Sequence, residues 1–556
     1  MRKERILKMQ MPEIKSMTLR EKLGQLLIVR MSDLLMDADS SYTKLRAPEE
    51  AAQIMEKNQF GGIWLHGALE VNHINQIYRE NIHFTPDSLK TWYEEVRKNV
   101  KIPVIAAADA FGPETAEGYS VYPEGLAVGA SSDANSAFEL GQCVARELGY
   151  AGLDWLWGPI GDHYGRRTFG VDRPFSNKAD DLIRCNIDYI KGIHSMNMAA
   201  TVKHFPGVDP RETRDSHIVT TFIKTSMEEW KQDQGRIFQE IIDAGVDAVM
   251  SVATAFPAAD DTMVDGRYLP GGLSYNILTK LLKEEMGFQG VVITDDVNMG
   301  GFTSFYSGGR LYAEFIKAGN DMLLGVRADA VDLLEKEVEK GTVSMERIDD
   351  AVRRVLMLKK KVGLFDRGYR QPDYTIQEAV AQTEKMTRKL AENSLTLVRD
   401  RNNRLPFNKE EVKRVAIVCY THGEFVFEQL NAMKEEFEAH GAEVTMKRRL
   451  NSFEEAKEVA DTCDLIIYVG HIAMHCPKGA LSFYGDEFWA LRHAFVYGAE
   501  KSVGYATGYP HIHYDFMDDA QIFVNAYTTA GAMQKAFVQG LYGEIPFVGK
   551  TPVELD

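Results

Sequence analysis

The sequence predicts an α/β protein in two parts, a (β/α)8 TIM-like barrel followed by an αβ sandwich domain. Three observations carry this prediction. Eight short apolar runs alternate with helix patterns between about residues 18 and 366. Several of these runs are apolar at nearly every position, the pattern of parallel strands covered on both faces. Polar side chains gather where the runs end, and barrels of this type carry their sites at the C-terminal ends of the strands.

The elements follow in order. Thr18-Leu-Arg-Glu21 has the spacing of a capping box and opens the first helix. The eight runs are Leu26–Met31, Gly61–His66, Val104–Asp109, Asp154–Pro159, Ala199–His204, Asp247–Val252, Gly290–Asp295 and Asp321–Gly325. His66, Asp109, Lys203 with His204, and Asp295 end four of them. A helix from Met345 to Gly363 closes the barrel, stopping on basic residues and a glycine. The expected boundaries are residues 1–367 for the barrel, 368–390 for a linker and connecting helix, and 391–556 for the second domain. In that domain, strands at Val415–Cys419, Val444–Lys447, Leu465–Val469, Ser502–Thr507 and Ala520–Asn525 alternate with helices. One of these helices is expected to run unbroken from Glu424 to His440. The alternation suggests an open, doubly wound sheet. Its first strand-helix turn lacks Gly-x-Gly-x-x-Gly, so no nucleotide site or other cofactor is expected. No internal repeat is evident.

A chain of 556 residues is too long for one core. Its 45% hydrophobic and 26% charged residues are ordinary for a globular protein. The net charge of −17 argues against nucleic acid and anionic membrane as partners. Cys143, Cys185, Cys419, Cys463 and Cys476 are scattered without a Cys-x-x-Cys, as in a reducing compartment. The charged N-terminus and the lack of a long apolar span make the cytoplasm the expected location. A homodimer is the default expectation for a soluble enzyme.

Four groups of residues can carry chemistry. Asp295 and Asp296 end an apolar strand, and alternation lets only one face the barrel axis. Asp295 can act there as nucleophile, base or metal ligand, while Asp296 suits an N-cap on the following turn. Asp215 and His217 lie two apart in a polar loop, where the carboxylate can hold one ring nitrogen and leave the other for proton transfer. Lys203 and His204 form a basic pair at a strand end, suited to sugar hydroxyls or to a carboxylate. Asp109 and Arg167 are a carboxylate and a guanidinium able to bind a polyol or each other. There is no His-Glu-x-x-His and no carboxylate cluster at ligand spacing, so no metal is expected.

With these motifs the chain resembles glycoside hydrolase family 3, most closely its bacterial β-N-acetylglucosaminidase branch. The likeness runs through Thr18–Leu27, Tyr122–Ala130, Gly287–Asp296, Ala318–Leu324, Glu392–Val398 and Gly543–Val553. It implies that Asp295 is the nucleophile, and that His217, assisted by Asp215, is the acid/base. Asp109, Arg167, Lys203 and His204 would bind the sugar, and the reaction would be a retaining double displacement on a small saccharide or glycoside. The chain departs from the branch in Val208–Thr213, after Asp109, and in the short segment from Asp162 to Arg167. The resemblance therefore leaves the sugar open. A β-glucosidase- or β-xylosidase-like enzyme, a phosphorolytic one, a variant drawing its acid from Asp486 or Glu487, and a non-catalytic sugar-binding barrel are the alternatives.

Overall fold

The computed structural model describes residues 10–35, 48–65, 85–98, 100–109, 119–166, 168, 170–365, 372–421, 424–472, 485–515 and 517–555. The chain divides into two compact units. The first takes in Met1–Ser120, Phe138–His163 and Asn186–Gln382, the second Val121–Ala137, Tyr164–Cys185 and Thr383–Asp556.

In the first unit eight parallel strands close into a barrel in chain order. They are β1 (Leu27–Arg30), β2 (Gly62–Trp64), β3 (Ile105–Ala108), β4 (Trp155–Leu156), β5 (Ala199–Phe205), β6 (Ala248–Ser251), β7 (Val291–Asp296) and β8 (Met322–Val326). Each falls on one of the eight apolar runs, extending at most one residue past its end. Strands β3, β5, β6 and β8 are buried along their whole length, which is why they read as continuous apolar segments. The Thr18 capping box is present: the Glu21 N–H donates to Thr18 Oγ1 at 3.2 Å and the Thr18 N–H to Glu21 Oε2 at 2.9 Å. The last barrel helix spans Met345–Lys361. His66 and the expected linker as far as Gln371 lie outside the described residues.

A repetition that the sequence alone did not disclose ties the strands in pairs. Gly-x-Asp precedes β4, β6 and β8, as Gly152/Asp154, Gly245/Asp247 and Gly319/Asp321. The three glycines have φ of +92°, +90° and +132°, which a side chain would oppose. Each aspartate accepts a backbone N–H from the strand before. Ala106 bonds Asp154 at 3.1 Å, Ala200 bonds Asp247 at 2.8 Å, and Val292 bonds Asp321 at 2.9 Å. Each also meets a basic side chain from the helix before that strand: Arg97 on Asp154, His194 on Asp247 at 2.7 Å, and Lys283 on Asp321 at 2.8 Å. Burial pushes the Lys283 ammonium down to about 8 despite Asp321. These groups lie at the N-terminal ends of the strands, the face that serves stability.

The second unit holds a six-stranded sheet of β9 (Thr396–Asp400), β10 (Arg414–Tyr420), β11 (Glu443–Arg448), β12 (Leu465–Gly470), β13 (Ser502–Ala506) and β14 (Ile522–Asn525). Across the sheet the order is β9-β14-β13-β12-β10-β11. The five later strands are parallel in a doubly wound order, and β9 lies antiparallel on the β14 edge. The helix expected over Glu424–His440 is two helices, Glu424–Gln429 and Asn431–Ala439. Around the fully buried Leu430 the bonding tightens to i→i+3, from Leu430 to Phe427 and from Met433 to Leu430. Among the described residues, no helix is long and apolar enough to cross a membrane.

The strand-pairing aspartates make a testable contribution. Burial alone would raise the Asp247 carboxyl, but His194 and Lys361 outweigh it and hold it below the ordinary 3.8. The folded chain then binds that proton less readily than the unfolded one. The stabilisation is therefore present above about pH 4 and is lost as the pH falls through the depressed value. Asp247→Asn lowers stability at neutral pH by about 2 kcal/mol, as loss of a charged hydrogen bond does. In urea unfolding, the gap to wild type narrows as the pH falls below about 4; a gap constant with pH would contradict the electrostatic account.

Candidate active site

Strand β7 is buried as far as Thr294 and emerges at Asp295 and Asp296. The Asp295 side chain is 13% exposed. Its Oδ1 accepts the Asp296 N–H at 2.7 Å, and its Oδ2 stands 3.9 Å from His204 Nε2. Asp296 is not the helix N-cap expected from the sequence. The next helix, Gly300–Thr303, is capped at Met299. Asp296 Oδ1 instead accepts the Asn298 N–H at 3.0 Å and Nδ2 at 2.8 Å, and Oδ2 pairs with Arg30 at the end of β1. Barrel closure is the reason, because it leaves only β8 between β1 and β7. Gly325 of β8, at φ +78°, makes the room: a Cβ there would come to 2.7 Å from Asp296 Oδ1.

Strand β5 brings Lys203 and His204. The Lys203–His204 and Phe205–Pro206 peptides are cis. Lys203, its side chain 1% exposed, donates from Nζ to Asp109 Oδ2 at 2.7 Å, just past the end of β3. His204 Nδ1 bonds Asp162 Oδ2 at 2.6 Å, and the His204 N–H donates to Asp162 Oδ1 at 3.1 Å. Asp162 is fully buried. A carboxylate on Nδ1 makes that nitrogen the donor and turns Nε2 toward Asp295.

The loop after β5 carries Asp215 and His217. Asp215, buried, accepts through Oδ1 from the His217 N–H at 2.9 Å and from Nδ1 at 2.7 Å. The His217 side chain is 31% exposed. Backbone contacts fix this loop to the segment that follows Asp295. The Gly300 N–H donates to the His217 carbonyl at 2.7 Å, and Thr220 Oγ1 donates to the Gly301 carbonyl at 3.1 Å. A Cβ on Gly300 would come to 2.3 Å from the Ile218 carbonyl oxygen, and one on Gly301 to 3.0 Å from that of Ser216. Glycines at both places let the loop after β5 lie against the loop after β7. Thr221–Phe222 then pairs with Thr254–Ala255, which follows β6.

The first unit thus gathers Asp295, His204, Lys203 and Asp109, with Asp215 and His217 on the adjoining loop. Arg167 lies outside the described residues. Its neighbour Arg166 belongs to the second unit, where it pairs with Asp515 at 3.0 Å and lies 4.3 Å from the centre of the Tyr514 ring. Asp486 is in the first turn of the helix Gly485–Gly498. Two residues were missed by the sequence reading, Asp162 and Arg30. Both follow from the strand-end signal that picked out Asp109, since Arg30 ends β1 and Asp162 comes soon after β4. Among the described residues, no group of His, Cys, Asp and Glu could hold a metal ion.

Comparison with known proteins gives the family and agrees with the fold. Residues 18–358 match the model of the glycosyl hydrolase family 3 N-terminal domain. A beta-N-acetylglucosaminidase/beta-glucosidase from Cellulomonas fimi is 25% identical over 488 residues, covering 83% of this chain and 85% of that one. A beta-hexosaminidase from Stenotrophomonas maltophilia (strain K279a) is 33% identical over 226 residues, 39% of this chain and 64% of the relative. In fold, the chain is similar to a beta-N-acetylglucosaminidase from Paenibacillus sp. str. FPU-7, with TM-score 0.78, 24% identity, and coverage of 97% and 99% of the two chains. It is also similar to a beta-glucoside phosphorylase, with TM-score 0.81, 23% identity, and coverage of 98% and 94%. With the family model spanning most of the barrel, the chain belongs to glycosyl hydrolase family 3 and is a glycosidase.

Proposed function

We propose that this protein is a retaining β-glycosidase that removes terminal β-linked sugars, N-acetyl-β-D-glucosaminides first among them. The observation that carries the proposal is the Asp215–His217 pair on a loop hydrogen-bonded to Gly300, five residues beyond Asp295. The names of the Cellulomonas fimi and Stenotrophomonas maltophilia relatives support the sugar.

In the mechanism that follows, an Asp295 oxygen attacks the anomeric carbon as the bond to the leaving oxygen breaks. The His217 imidazolium gives its Nε2 proton to that oxygen, and the neutral ring then takes a proton from the water that frees the sugar. Asp215 holds Nδ1 as a donor and favours the charged ring. Asp109, Lys203 and His204 bind the sugar hydroxyls. Because the acid/base is an imidazole and not a carboxylate, the second step places no anion against an incoming phosphate. Phosphorolysis is therefore the second reading.

Release of 4-nitrophenol from β-N-acetylglucosaminide, β-glucoside and β-xyloside, with and without phosphate, tests both readings. The expected result is turnover of the N-acetylglucosaminide in plain buffer. Phosphate-dependent formation of a sugar 1-phosphate makes the enzyme a phosphorylase. Inertness of every aryl glycoside and of the matching β-glycosyl fluorides would reject the proposal.

Three substitutions check the roles. Asp295→Ala lowers kcat by about four orders of magnitude, as removal of a nucleophile does. His217→Ala costs about 10²–10⁴ on glycosides with poor leaving groups and far less on 4-nitrophenyl glycosides, which need little proton donation. Gly300→Ala displaces the His217 loop and lowers kcat/KM by up to about 10²-fold with little change in melting temperature. Activity equal to wild type in Gly300→Ala would show that the loop contact has no part in catalysis.

A further inference from the structure

We infer that a groove beside the His217 loop is the aglycone subsite, and that it takes a flat apolar aglycone of the aryl type. The inference rests on the proposed role of His217 and adds to it where the departing group lies. An acid that protonates the leaving oxygen must stand next to it, so the aglycone is on the His217 side of the cleaved bond. The residues that follow His217 line a cavity of about 530 Å³, a volume typical of small-molecule sites.

Its walls are Ile218 and Phe222 after β5, Met263 and Tyr268 after β6, and Gly300 and Phe305 after β7. All come from βα-loops, which places the groove on the catalytic face of the barrel. Gly300 is also the residue bonded to the His217 carbonyl, so groove and acid loop share one backbone contact.

The chemistry of the walls selects the ligand. Ile218 is 66% exposed and Met263 51%, large apolar side chains left open beside each other's loops. Phe222 and Tyr268 meet edge to face with centroids 6.3 Å apart. Arg267 lies 4.2 Å from the centre of the Phe305 ring and donates to the Ser304 carbonyl at 2.5 Å. No carboxylate is among the described lining residues, so nothing there would hold a cationic aglycone. Met263 and Tyr268 are cross-strand partners in a two-residue hairpin. Its turn, Asp265-Gly266, has φ of +49° and +75° at its centre, the geometry that holds such hairpins tight. The wall is therefore pre-formed, and an aryl group gains apolar contact without ordering a loop.

The test is Met263→Glu in the full chain, with Met263→Leu as the conservative control. Substrates are the 2-naphthyl β-glycoside and the β-glycosyl fluoride of the preferred sugar. The fluoride has no aglycone to fill the groove. Met263→Glu is expected to lower kcat/KM on the naphthyl glycoside about tenfold, the scale of a lost apolar contact. On the fluoride it stays within about twofold of wild type, and Met263→Leu behaves as wild type on both. Equal losses on both substrates, or no loss on either, would overturn the subsite. If wild type leaves the fluoride unreacted, the catalytic proposal fails, and the groove is judged alone by titration with free 2-naphthol. Saturable binding lost in Met263→Glu supports the apolar site, and absence of binding overturns it.

Discussion

One backbone hydrogen bond, from the Gly300 N–H to the His217 carbonyl, joins the two halves of the site. Asp295 sits near the end of barrel strand β7, which pairs with β6 as far as Thr294 and with β8 at Ile293 and Asp296, and is held by the sheet on either side of it. His217 sits in a loop that the barrel does not order by itself. The bond to Gly300 connects them, and it forms only because Gly300 and Gly301 lack side chains where the carbonyls of Ser216 and Ile218 approach. A loop supported in this way is positioned by main-chain geometry. That suits a proton donor, since proton transfer is sensitive to errors of a few tenths of an ångström.

Around Asp295 the charges are sorted in pairs. Asp109 is on Lys203, Asp162 on His204, and Asp296 on Arg30. The ring nitrogen facing Asp295, His204 Nε2, stands at 3.9 Å. A carboxylate bound at hydrogen-bond distance by a buried ammonium has its lone pairs engaged. With the His204 ring at 3.9 Å, beyond hydrogen-bond distance, Asp295 keeps Oδ2 for another partner. The backbone N–H of Asp296 on Asp295 Oδ1 orients the group without occupying Oδ2. The Arg30–Asp296 pair, anchored across β8, holds that N–H in place.

The strands were legible because burial on both faces leaves almost no polar residues in them, and the strand-end rule found Asp109, Lys203, His204 and Asp295. It failed where it was not applied, at Arg30 and Asp162. Other elements left no such signal. Strand β9 is half-exposed, with Leu397, Val398, Arg399 and Asp400 all in contact with solvent, so no apolar run marks it. The two-strand hairpin at Met263–Tyr268 is too short for a period, although Asp265-Gly266 is a hairpin turn pair. The break at Leu430 depends on tertiary burial of that side chain, which helix periodicity does not encode. The Asp162–His204 bond joins residues 42 apart, and only the parallel pairing of β4 with β5 brings them together.

The two ends of the barrel are built on different logic. At the N-terminal ends of β4, β6 and β8, the same Gly-x-Asp device recurs with a basic side chain from the helix before the neighbouring strand, three times with three different residue types. Repetition is tolerated there because the task is the same each time: to tie one strand to the next. Even at β2 the trace persists, with Gln59 at φ +53° in place of the glycine. Gly61 there occupies the aspartate position, where a Cβ would lie 2.1 Å from the Gln25 carbonyl. At the C-terminal ends the described site groups come from different strands, Asp109 after β3, Asp162 after β4, Lys203 and His204 on β5 and Asp295 on β7, and the loops after β5, β6 and β7 are stitched to one another. Stability is thus secured at one end by contacts that do not involve the loops. The loops at the other end can then change length and wall chemistry, as they do beside His217, without weakening the barrel that holds Asp295.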